Sequence, residues 1–128
     1  MSPNELRIGN LTDKGVIQNL LESGIHVGRG KCFNYSEVKP VPLTKEQLLK
    51  SGFEKTEGYN HGSHTIEKVP YFSKDDITVI LYNDGEFWYA VPRYDGGTGE
   101  EYIDVVELKH VHKLQNLYFA LEGKELTL

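Results

Sequence analysis

The stretch from Lys109 to Gly123 constrains this chain more than any other. Val111, Leu114, Leu117, Tyr118 and Leu121 recur at the spacing of one helix face. Gly123 follows where a helix C-terminus favours a left-handed residue. The spacing therefore predicts an amphipathic helix with an apolar stripe about 120° wide at ~100° per residue. A stripe of that kind must be buried against another layer, and the rest of the chain reads mainly as strands. The fold class that follows is α+β.

The strands are short in the first third. Leu6, Ile8 and Val16-Ile17 flank a turn at Thr12-Asp13-Lys14-Gly15, Ile25-His26-Val27 lies between two glycines, and Phe33 and Tyr35 alternate with polar neighbours. A small meander or partial barrel fits. Residues 16–23 read as strand, with a short helix capped by Gly24 as the rival reading. Thr44 and Gln47 make a capping-box pair, Leu43 and Leu48 a hydrophobic staple, and Gly52 a stop, so 45–51 is a short helix. Residues 57–64 are turn-like in composition, and 65–69 are a candidate strand before Pro70.

Ile77–Tyr82 and Phe87–Val91 are a strand pair around the turn signal Asn83-Asp84-Gly85. Pro92 suggests an edge or an exit from the ladder. Residues 95–101 read as a loop, 102–108 as a last strand, and Leu126 and Leu128 as a short edge strand. The arrangement expected is a single domain over 1–128. Its lobes would be a β-rich 1–43 and an α+β 44–128, whose sheet on 77–91 and 102–108 is covered by the C-terminal helix.

Charge and cysteine usage narrow the function classes. The net charge is −5, and it is uneven: residues 51–108 carry four Lys/Arg against twelve Asp/Glu. Nucleic-acid binders usually show the opposite bias, whereas an acidic segment suits a basic partner surface. The one cysteine, Cys32, forms no internal disulfide. No apolar run approaches the ~20 residues of a membrane span, and the N-terminus has no signal pattern. A cytoplasmic protein is expected.

Catalytic and metal patterns are weak. Val27-Gly28-Arg29-Gly30-Lys31 lacks the glycine spacing of a phosphate loop and the hydroxyl residue after the lysine, where Cys32 stands. The histidines His26, His61, His64, His110 and His112 lack the four-ligand patterns of zinc sites. His110 and His112, two apart, are expected on different sides of the helix. Cys32 has no marked base. Asp75-Asp76 reads as a strand-entry turn and Glu100-Glu101 as a solvated loop. Neither a cofactor nor a metal is implied.

Three pieces together resemble a known group. They are Glu5-Leu6-Arg7-Ile8-Gly9-Asn10; then 41–53, Val-Pro-Leu-Thr-Lys-Glu-Gln-Leu-Leu-Lys-Ser-Gly-Phe; then 111–126, Val-His-Lys-Leu-Gln-Asn-Leu-Tyr-Phe-Ala-Leu-Glu-Gly-Lys-Glu-Leu. Their order resembles a family of small proteins of phages, prophages and mobile elements of Bacteroidetes-type bacteria. The likeness covers roughly a third of the chain and implies a setting, in which small accessory proteins bind and block host defence machinery, CRISPR effectors included. It implies no mechanism.

Three function classes remain. The first is a non-enzymatic binder of a host or defence protein. It would use the acidic residues Asp84, Glu86, Asp95, Glu100 and Glu101, and the helix side of His112, Gln115, Asn116 and Phe119. The second is a single-strand nucleic-acid binder using Arg7, Lys14, Arg29 and Lys31 with Phe33 and Tyr35. The third is an enzyme built around His61 and His64. The sequence leaves the oligomeric state open.

Overall fold

A computed structural model describes residues 1, 3–60, 67–82, 84–93 and 101–128. The fold is α+β, and the chain divides into two compact units. One comprises Met1–Leu43 with His110–Leu126, the other Thr44–Lys109 with Thr127–Leu128.

In the first unit, β1 (Leu11–Thr12) and β2 (Gly15–Val16) form a tight hairpin pairing Leu11 with Val16. Then β3 (Asn19–Leu20), β4 (Gly24–Val27) and β5 (Lys31–Asn34) make an antiparallel meander. Residues 16–23 are thus extended rather than helical, and the small strands do not close a barrel. Alternation explains the core here. Ile25 and Val27 point inward and join Leu6, Ile17 and Val38, with Phe33 and Tyr35 packed at the margin.

The second unit begins with α1 (Lys45–Lys50). Thr44 caps it, its Oγ1 accepting from the Gln47 N–H at 3.2 Å, and Gly52 ends it at φ +94°. Five antiparallel strands follow: β6 (Glu54–Asn60), β7 (Glu67–Lys74), β8 (Ile77–Leu81), β9 (Phe87–Arg93) and β10 (Glu101–Glu107). Their spatial order is β10-β9-β8-β7-β6.

The β6–β7 pairing runs from Glu54↔Ser73 to Asn60↔Glu67. Residues 57–60, read from composition as turn, are therefore strand; the ladder with β7 outweighs the weak local propensity of Gly58 and Asn60. Pro70 and Pro92 also lie inside strands. Each stands beyond the last β8 pair, so its strand has a single neighbour there and the missing N–H breaks no ladder bond. Residues 126–128 are not strand.

The last element, α2 (Val111–Glu122), ends at Gly123 in the left-handed region, whose N–H bonds the Phe119 carbonyl. Val111, Leu114 and Tyr118 of the anticipated stripe are buried, but Leu121 is 50% exposed, and His112 and Gln115 are buried instead. The inner face is rotated toward Gln115. The sequence expectation laid this helix across the 77–91 and 102–108 sheet. The helix belongs to the first unit, and its side-chain bonds run to the N-terminal residues.

Candidate partner-binding surface

The helix residues singled out in the sequence turn out to bond within the first unit. Gln115 Oε1 accepts from the Leu11 N–H at 2.8 Å, and its Nε2 donates to the Gly9 carbonyl at 3.0 Å. Asn116 Oδ1 accepts from Arg7 Nε at 2.9 Å and from Asn10 Nδ2 at 2.8 Å, while its Nδ2 donates to the Glu5 carbonyl. Arg7 also forks onto Glu125, at 2.6 and 3.3 Å, and covers one face of the Phe119 ring. Asn10, fully buried, ties the turn by accepting from the Arg7 N–H. Gln115 and His112, also buried, offer nothing to a partner. Phe119 remains 41% exposed.

His112 is 1% exposed, and neither ring nitrogen has a hydrogen-bond partner. The Glu5 carboxylate stands 3.8 Å from Nε2, and the His110 ring stacks on it at 5.8 Å. The two rings were expected to diverge. They lie side by side because His110 is the extended cap residue, not the first helical one. Burial pushes the His112 pKa below its ordinary value; Glu5 opposes that shift, and His110 and Lys113 add to it.

Strand register separates the acidic residues. Asp84 and Glu86 sit in the turn between β8 and β9, where Gly85 supplies a φ of +88°. That turn is internally braced: Tyr82 N–H bonds the Glu86 carbonyl, Gly85 N–H the Tyr82 carbonyl, and Glu86 N–H the Asp84 carboxylate. Trp88 Nε1 donates to Glu86 Oε2 at 3.2 Å, and Trp88 pairs across the ladder with Glu107. Glu101 pairs with Arg93 at the opposite end of the sheet, six residues and about 20 Å from Glu107. Asp95 and Glu100 lie outside the described residues, as do His61 and His64. The set read as one acidic surface is thus divided, with Asp84 and Glu86 together at one end. Both are exposed, and neither makes an ion pair among the described residues.

The basic set divides too. Arg7 belongs to the helix network. Lys14 lies 5.4 Å above the Phe33 ring and 3.6 Å from Asp13, and Arg29 and Lys31 are exposed at the β4–β5 turn. Tyr35 donates its hydroxyl to the Leu21 carbonyl at 2.6 Å and packs on the core.

Sequence reasoning missed one feature. A groove of about 500 Å³ lies beside the acidic turn, lined by Thr44, Lys45, Glu46, Pro70, Leu81, Tyr82, Gly85 and Phe87. Leu81, two residues from buried Val79, and Phe87, its cross-strand partner, share one sheet face; that was the available signal, but it needs the register to be read.

Among the described residues no cluster of three His, Cys, Asp or Glu could hold a metal, and no helix is long and apolar enough to cross a membrane. The chain matches no protein-family model, no curated protein and no solved structure.

Proposed function

We propose that this chain is a non-enzymatic binding protein of phage or mobile-element setting, acting in the cytoplasm. Its second unit would dock on a basic surface of a host or defence protein. The nucleic-acid channel of a CRISPR effector is one such surface, and covering it would make the protein an anti-defence inhibitor. The observation that carries this reading is the Asp84–Glu86 turn, which presents two exposed carboxylates on a braced backbone within a segment of strong negative charge. Preorganised charge steers association and selects a cationic partner. The resemblance at 5–10, 41–53 and 111–126 supplies the setting.

A second reading keeps the single-strand nucleic-acid binder, on Lys14, Arg29 and Lys31. The position of Lys14 over Phe33 favours it, while Phe33 and Tyr35 are partly buried against the core. Capture of partners from host lysate with and without nuclease separates the two. The first reading expects a protein that survives nuclease; recovery that needs nucleic acid favours the second.

A further inference from the structure

We propose that the Pro3–Glu5 turn is a pH-controlled cover over His112. It lies closed on α2 while the imidazole is neutral, and it swings off, ahead of global unfolding, when the imidazole takes up a proton. The device lies within the first unit and is independent of the acidic turn between β8 and β9.

His112 sits where neither protonation state is well served. Its side chain is 1% exposed, and both ring nitrogens are buried without a hydrogen-bond partner. Neutral, the ring leaves one N–H and one lone pair unmet; protonated, it leaves two N–H groups and a full charge. Burial penalises the charged form more. Three groups act on the ring. Glu5, on the turn, places Oε2 3.8 Å from Nε2, beyond hydrogen-bond reach, and its side chain is 41% exposed. His110, just before α2, stacks on the ring with 12° between the planes, and Lys113 follows on the helix. Burial holds the His112 pKa below its ordinary value; Glu5 pulls the other way, and His110 and Lys113 add to the lowering. A proton is therefore bound better where water reaches the ring.

The turn is the piece that can move. It is a single 3-10 turn of three residues and contributes no buried residue. Asn116 Nδ2 fastens it to α2 by donating to the Glu5 carbonyl at 3.0 Å, and its own closing bond, from the Leu6 N–H to the Pro3 carbonyl, is 3.3 Å long. The opposite side of the ring is costlier to uncover. His110 bridges to Pro42, and the Val111 N–H bonds the Val41 carbonyl at 2.9 Å. Beyond the turn, Leu6 belongs to the core, and Arg7 is held by Asn116, Gln115 and Glu125. Opening therefore stops at Leu6, and a segment held by so few bonds opens at less cost than the whole fold.

The test is amide hydrogen exchange of the isotope-labelled full chain between pH 7.5 and 5.5, corrected for the intrinsic exchange rate. Protection at Leu6 is expected to fall by up to about tenfold per pH unit below the ordinary histidine value, because opening takes up one proton. The Leu6 rate should ignore low urea, whereas Ile25 and Tyr118, which exchange through larger openings, should speed up with it. His112→Leu should remove the pH dependence at Leu6. Glu5→Gln keeps the carbonyl bond and removes the charge beside Nε2, so the His112 ring shifts should titrate at lower pH than in the unaltered chain. Leu6 protection that does not change with pH, that follows urea together with Ile25 and Tyr118, or that keeps its pH dependence in His112→Leu overturns the proposal. If His112→Leu does not fold, Glu5→Gln decides in its place: a His112 titration that is unmoved or shifted upward overturns it.

Discussion

The Arg7 guanidinium lies 4.3 Å from the centroid of the Phe119 ring, while its nitrogens donate to Asn116, Glu125 and the Gln115 carbonyl. Residues more than a hundred positions apart thus meet around one planar cation. Arginine suits the position because its fork satisfies several acceptors while its face stacks on an aromatic. Arg7→Ala is expected to destabilise the protein by about 2 kcal/mol in urea unfolding, a figure for charged hydrogen bonds discounted for the partial exposure of Arg7. Arg7→Lys should recover less than half of the loss. A cost near zero would mean that the network is a surface decoration.

Gln115 is the buried polar residue whose bonds fix the rotation of α2. Gln115→Leu leaves the Leu11 N–H and the Gly9 carbonyl without their partners. The expected cost is about 2 kcal/mol, read as a lower urea midpoint with an unchanged slope.

His112 gives the fold a pH dependence. Its pKa is lowered in the folded state, chiefly by burial, so the unfolded chain binds the proton more readily. The contribution of His112 is therefore fully present above its ordinary value of 6.5. It declines as pH falls through that value toward the lowered folded one. The urea midpoint should fall between pH 7 and pH 5. His112→Leu should flatten that dependence and, by removing two unpartnered buried nitrogens, cost less than about 1 kcal/mol at pH 7.

Several elements were legible because their signals are local. Thr44 with Gln47 marked α1, Gly123 marked the end of α2, and the Asp84-Gly85 turn marked the β8–β9 hairpin; each needs only neighbours within a few residues. The inner face of α2 was not legible, because Gln115 looks like a solvent residue until Gly9 and Leu11, over a hundred positions away, are placed beside it. Residues 57–60 were misread for the same reason: their strand character comes from β7 and not from themselves. The candidate site was half visible. Its acidic residues stood out in the composition, but only strand register shows that Glu101 lies at the far end of the sheet from Asp84 and Glu86. The groove brings Thr44–Glu46 together with Pro70, Leu81, Gly85 and Phe87, residues that no single segment places side by side.

The most direct test of the binding role is partner capture by the tagged protein from nuclease-treated host lysate, compared with an Asp84→Lys, Glu86→Lys variant. Thermal unfolding should show the variant folded, since both side chains are exposed and their internal bonds are few. The account predicts a specific protein partner with the unaltered chain and at least about a tenfold drop in its recovery with the variant. Equal recovery by the two chains, or recovery that vanishes with nuclease, would contradict it.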